Sequence, residues 1–124
     1  MKRILVIDDE IAILQALEEA LIELGYAVKT LPDPKHLSRE IEVFRPDLLL
    51  LDFMLNNSNG GAICHQLKSQ PETANLPVIM MSGYNEVSEF AEKSGCDAFI
   101  KKPFDLSELN KRLHDCLNND VQPA

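Results

Sequence analysis

Two apolar runs that do not alternate constrain this chain most. Leu48-Leu-Leu-Leu51 and Val78-Ile-Met-Met81 are short and unbroken, as strands are when helices cover both faces of a sheet. Longer segments of helical period separate such runs, the pattern of βα units around a parallel sheet. Strands are predicted near 3–7, 26–30, 47–51, 77–81 and 97–101, joined by right-handed crossovers.

The helices between them carry start and stop signals. Ile11, Leu14, Leu17, Leu21 and Leu24 form one apolar stripe, and Gly25 ends that first helix. Asp33-Pro34 is read as the opening of the second, with Pro46 preventing its continuation. Gly60-Gly61 begin the third and Asn85 the fourth, while Asp105-Leu-Ser-Glu108 is a capping-box pattern for a fifth that runs to about Leu117.

With 124 residues, 45% of them hydrophobic, the chain suits one compact domain over 1–124 whose last residues, 119–124, form a short frayed tail. No repeat, linker or low-complexity stretch is visible, so no appended effector domain is expected. Net charge is -8, and no basic run interleaves with aromatic residues, which argues against direct nucleic-acid binding. Neither a membrane span nor a signal-peptide core is present, so a cytoplasmic location is expected. Cys64, Cys96 and Cys116 are odd in number and widely spaced, which suits reduced thiols rather than a disulfide framework.

Charged residues stand where the apolar strands run out: Asp8-Asp9 after the first, Asp52 after the third and Lys102 after the fifth. Ions are costly at the end of a buried strand unless a partner or metal offsets them. Ligands of open parallel sheets gather beyond the carboxyl ends of the strands, and Ser82, at the end of the fourth, joins this group. Asp47 opens the third strand about 17 Å away, at the opposite edge, and is read as a solvated residue.

Three converging aspartates repel one another, and a divalent cation relieves this. Oxygen ligands without histidine or cysteine favour Mg²⁺. Taken alone, the run Asp8-Asp9-Glu10 equally suits a cap on the first helix. Asp52 is the best nucleophile candidate, since a carboxylate attacking a phosphoryl group gives an acyl phosphate. Lys102 can supply charge to that transfer, and Pro103 restricts the backbone just before it. The Ser82 hydroxyl, backed by Gly83, can donate to a phosphoryl oxygen, although Ser-Gly in such a loop is commonly just a turn.

Over about residues 2–118 the sequence resembles a response regulator receiver domain. The resemblance rests on Ile4-Leu-Val-Ile-Asp-Asp-Glu10, Pro46-Asp-Leu-Leu-Leu-Leu-Asp52-Phe-Met-Leu with Gly60-Gly61, Leu76-Pro-Val-Ile-Met-Met-Ser82-Gly, and Gly95-Cys-Asp-Ala-Phe-Ile-Lys-Lys-Pro-Phe104. It implies a flavodoxin-like, doubly wound (βα)5 α/β sandwich with strand order 2-1-3-4-5. It also implies that Asp52 is the phosphoacceptor, that Asp8, Asp9, Asp52 and the backbone carbonyl of Met54 hold Mg²⁺, and that Ser82, Phe99 and Lys102 form the switch. Lys101 does not inherit the lysine role, which belongs to the residue directly before the proline. Two departures stand out: the loop 55–60 lacks a proline at position 56, and phenylalanine occupies position 99, where a tyrosine hydroxyl could have fixed the inward rotamer.

The implied partners are a sensor histidine kinase or phosphotransfer protein and a downstream protein docking on residues 84–118. A homodimer through the fourth helix, fifth strand and fifth helix could pair Asp97, Lys111 and Arg112. The chain is expected to be no enzyme beyond catalysing its own phosphorylation and dephosphorylation. A phosphorylation-independent receiver-like binding module is the alternative, but such modules usually lack an acidic or lysine position that this chain retains. An aspartyl-nucleophile phosphatase would need carboxylates two residues apart on the first strand, and a nucleotide site would need a glycine-rich loop there.

Overall fold

The computed structural model describes residues 1–83 and 95–118. Within them lie β1 (Arg3–Ile7), α1 (Ile11–Glu23), β2 (Ala27–Leu31), α2 (Leu37–Phe44), β3 (Leu48–Asp52), β4 (Met54–Leu55), β5 (Ser58–Asn59), α3 (Gly60–Lys68), β6 (Val78–Ser82), β7 (Ala98–Lys101) and α4 (Leu106–Leu117). Five parallel strands form one sheet in the order β2-β1-β3-β6-β7, the predicted 2-1-3-4-5 arrangement. The predicted fourth helix at Asn85 and the tail 119–124 fall outside the described residues, and α4 is the predicted fifth helix.

Every residue of Ile4–Ile7, Leu48–Leu51 and Val78–Met81 is buried, because both faces of the sheet are covered. Alternate side chains feed two cores. Ile4, Val6, Leu48, Leu50, Ile79, Met81 and Ile100 pack against Leu14, Leu17 and Leu21 of α1 and Leu109, Leu113 and Leu117 of α4. Leu5, Ile7, Leu49, Leu51, Val78 and Met80 pack against Leu37 of α2 and Cys64 and Leu67 of α3. None of the three cysteines is in a disulfide. No helix among the described residues is long and apolar enough to cross a membrane.

Several local readings hold and others shift. Gly25 has φ 99° and follows the α1 C-cap, with the Tyr26 amide donating back to the Leu21 carbonyl at 3.1 Å. The Asp105 carboxylate accepts from the Glu108 amide at 2.8 Å and caps α4. Asp33 does not open α2: its carboxylate accepts from the Lys35 amide in a separate turn, and the helix starts at Leu37. Proline at position 34 is compatible with either, so the signal marked the turn and missed the helix start. The stretch after Asp52, read as a loop, contains the antiparallel ribbon β4–β5, with Met54 opposite Asn59 and Leu55 opposite Ser58.

Asp47 and Asp97 are also more engaged than their exposure suggests. Rather than standing in solvent, Asp47 accepts from the Arg3 amide at 2.8 Å and joins the starts of β1 and β3. The Asp97 carboxylate, expected at a dimer surface, is committed within the chain: Oδ2 accepts from Lys68 Nζ at 2.7 Å and from the Val78 amide at 2.8 Å. Lys68 Nζ also donates to the Leu76 carbonyl at 2.7 Å. One ammonium therefore ties α3, the approach to β6 and the approach to β7. Lys68→Met keeps the aliphatic stem and removes these bonds, and is expected to lower stability by about 1.5–3 kcal/mol in urea unfolding. An unchanged midpoint would show the clamp to be energetically idle.

Candidate functional site

Asp8 follows β1, Asp52 is the last residue of β3, Ser82 the last of β6, and Lys102 directly follows β7. Parallel pairing brings these ends to one edge of the sheet, with Asp52 opposite Met81 and Ser82 opposite Lys101. Asp8 is 0% exposed, Asp52 5% and Ser82 1%, while Asp9 is half-buried. One carboxylate oxygen from each of Asp8, Asp9 and Asp52 lies within 4.8 Å of the others.

The two readings of the acidic run at 8–10 divide between the two oxygens of one side chain. Asp8 Oδ1 accepts from the Glu10 amide at 3.0 Å, closing the turn into α1. Oδ2 accepts from Lys102 Nζ at 2.7 Å. Glu10 is the α1 N-cap and makes no side-chain capping bond. Asp8 thus both shapes the helix start and faces the site.

Lys102 reaches in from the far side of the sheet, its ammonium 2.7 Å from Asp8 and 3.3 Å from Asp52. Its backbone amide donates to the Ser82 carbonyl at 2.7 Å, and the Lys102–Pro103 peptide bond is cis. Lys101, one residue earlier on β7, is exposed and outside the cluster. Met54 opens β4 with its side chain 53% exposed. Phe99 is half-buried on β7, opposite Met80, and packs on the core beneath α2 and α3.

Burial, and then the charge of Asp8, push the Asp52 carboxyl up to about 6, against the pull of Lys102 and with a smaller push from Asp9. For Lys102, burial alone would favour the neutral amine; its bonds and charge interactions with Asp8 and Asp52 outweigh this and raise its pKa. Asp52 is therefore ionised at neutral pH yet more basic than an ordinary carboxylate, which suits a nucleophile. A charged ammonium beside it suits the stabilisation of phosphoryl oxygens.

One ammonium against three carboxylates leaves negative charge in excess in a largely buried place. The donor set is hard oxygen alone, with no histidine or cysteine in it. Such a set fits a small divalent cation of the Mg²⁺ kind.

Sequence reasoning missed how the far side of this site is built. The Gly60 amide donates to the Phe53 carbonyl at 2.8 Å, and Asn59 caps α3 by accepting from the Ala62 amide at 3.1 Å. The ribbon thus folds back onto the peptide that follows Asp52. Asn59 before Gly60-Gly61 is a helix-start signal that could have been found; the return of Gly60 onto Phe53 has no local signature.

A doubly wound sheet with a lysine-bridged acidic cluster at the carboxyl ends of its strands defines a receiver-type signalling domain. The chain belongs to the response regulator receiver domain family, whose model matches residues 4–114. It is 33% identical over 119 residues to the DNA-binding dual master transcriptional regulator RpaA of Synechocystis, covering 94% of this chain and 49% of that protein. The chain spans about half the length of the curated relatives it matches.

Solved structures agree. A CheY-like receiver domain protein from Methanospirillum hungatei superposes with TM-score 0.88 at 28% identity, covering 98% of this chain and 97% of that one. The response regulator TrrA from Thermotoga maritima, solved in complex with Mg²⁺-BeF, gives TM-score 0.84 at 26% identity over 94% of this chain and 100% of its own.

Proposed function

We propose that this domain accepts a phosphoryl group on Asp52 from a phosphohistidine of a sensor kinase or phosphotransfer protein, and signals by a change of conformation to a protein partner in the cytoplasm. The observation that carries this reading is the cluster itself: Asp8, Asp9 and Asp52 gathered at one sheet edge and bridged by Lys102. An Asp52 carboxylate oxygen attacks phosphorus in line, the P–N bond breaks, and the imidazole leaves with the electron pair and takes up a proton. Asp52, held at the rigid end of β3, supplies orientation; Lys102 supplies positive charge to the phosphoryl oxygens.

Asp8, Asp9, Asp52 and the Met54 carbonyl would hold Mg²⁺, and TrrA was solved with Mg²⁺-BeF. When bound, the ion supplies charge neutralisation between the carboxylates and the incoming phosphoryl group. The domain acts catalytically only on itself. Phosphorylation adds a charge of about -1.5 to -2. Lys102 and the Ser82 hydroxyl then turn to the phosphoryl oxygens, and half-buried Phe99 moves with them, so that one of two arrangements is favoured. The residues that would read this out lie partly in 84–94, outside the described residues. RpaA is a DNA-binding regulator, but a net charge of -8 makes this segment a poor direct DNA contact.

Intact-mass measurement after incubation with a small phosphodonor and Mg²⁺ tests the proposal. Wild type is expected to gain one acid-labile phosphoryl group and Asp52→Asn none. No gain in wild type, or an equal gain in the variant, overturns the assignment.

A further inference from the structure

The ribbon β4–β5 returns to the strand it left, and the contact point is a glycine. A Cβ built on Gly60 would stand 2.5 Å from the Asp52 carbonyl oxygen and 2.8 Å from the Phe53 Cα. Both are backbone atoms, so no side chain can swing aside. Ordinary carbon contacts need about 3.5 Å or more, so an alanine here must move one of the two segments by about 1 Å. Between these segments lies the stretch Phe53-Met54, closed by the Gly60 amide bonding to the Phe53 carbonyl at 2.8 Å and by Met54 pairing with Asn59.

From this geometry we infer that Gly60 is a positioning residue for the cation site: its missing side chain sets where the peptides following Asp52 stand relative to the Asp8, Asp9 and Asp52 carboxylates. The inference rests on the reading that these groups and the Met54 carbonyl bind Mg²⁺. Mg²⁺ demands near-octahedral oxygens at about 2.0–2.1 Å, and a ligand displaced by about 1 Å falls outside that tolerance. Asn59 supports the same arrangement from the helix side, because its carboxamide accepts from Ala62 and fixes the end of the ribbon on α3.

The test is Mg²⁺ titration by calorimetry on folded protein, comparing wild type, Gly60→Ala and Gly25→Ala. Gly25 has φ 99° with no atom near its would-be Cβ and lies outside the site, so its alanine variant strains the backbone without touching the cluster. Gly60→Ala is expected to bind Mg²⁺ at least tenfold more weakly, with Gly25→Ala within twofold of wild type. Should Gly60→Ala not fold, Asn59→Ala is expected to weaken binding at least threefold. Wild-type affinity in the folded Gly60→Ala protein, or in Asn59→Ala if that variant must stand in, overturns the positioning role while leaving the cation site intact. Absence of millimolar Mg²⁺ binding by wild type overturns the underlying reading.

Discussion

Asp52→Asn is expected to make the metal-free protein more stable at neutral pH, not less. Burial, and then the charge of Asp8, push the native carboxyl up to about 6 from its ordinary 3.8. Well below pH 3.8 the group is protonated in folded and unfolded chains alike and costs nothing. Between about pH 4 and 6 the unfolded chain loses its proton first, so stability falls as pH rises, and above 6 the full cost stands. A shift of this size corresponds to about 3 kcal/mol, and a gain of about 1–3 kcal/mol is expected for the asparagine, whose oxygen can keep the Lys102 bond. Urea unfolding in chelator should show the difference between the two proteins largest at pH 7 and shrinking steadily as pH falls from 6 toward 3.8. A variant less stable than wild type at pH 7 would mean that Lys102 outweighs burial and repulsion at Asp52.

Lys102→Met is expected to act in the opposite direction. It leaves Asp8, 0% exposed, and Asp52, 5% exposed, without the ammonium that lies 2.7 and 3.3 Å from them. Breaking such a pair from one side costs several kcal/mol because the remaining charge is stranded; with Lys102 partly open to water, about 2–4 kcal/mol is expected at pH 7 without metal. The loss should shrink as pH falls through about 6, where the Asp52 carboxyl takes up its proton, and also when Asp52→Asn is added. A loss independent of pH would assign the lysine to packing rather than charge.

Most of the site was legible in the sequence because three of the strands bearing it carry wholly buried apolar runs. Ile4–Ile7, Leu48–Leu51 and Val78–Met81 are apolar throughout, so a polar residue at their ends stands out, as Asp8, Asp52 and Ser82 do; Lys102 follows the only partly buried β7 and exposed Lys101, and its place directly before Pro103 singles it out. Boundaries moved by a residue: β3 and β6 include Asp52 and Ser82 rather than stopping before them. Contacts between distant polar residues were not legible. Lys68 and Asp97 are 29 positions apart and look like ordinary surface charges, and nothing near Asp33 distinguishes a turn from a helix cap. The Gly60 contact was hidden for the same reason, since it depends on where the chain comes back rather than on its neighbours.

Lys68 also divides the sheet mechanically. Through Leu76 and Asp97 it pins the ends of β6 and β7 that lie farthest from Asp52, with the Val78 amide joined to the same carboxylate. At the other end the Lys102 amide donates to the Ser82 carbonyl at 2.7 Å. The base of the two strands is thus tied by side chains as well as by the sheet ladder, which alone runs on to Ser82 opposite Lys101. Amide exchange should accordingly quicken along β6 from Val78 to Ser82, and a disturbance at the tip will bend the outer end while the base keeps its register.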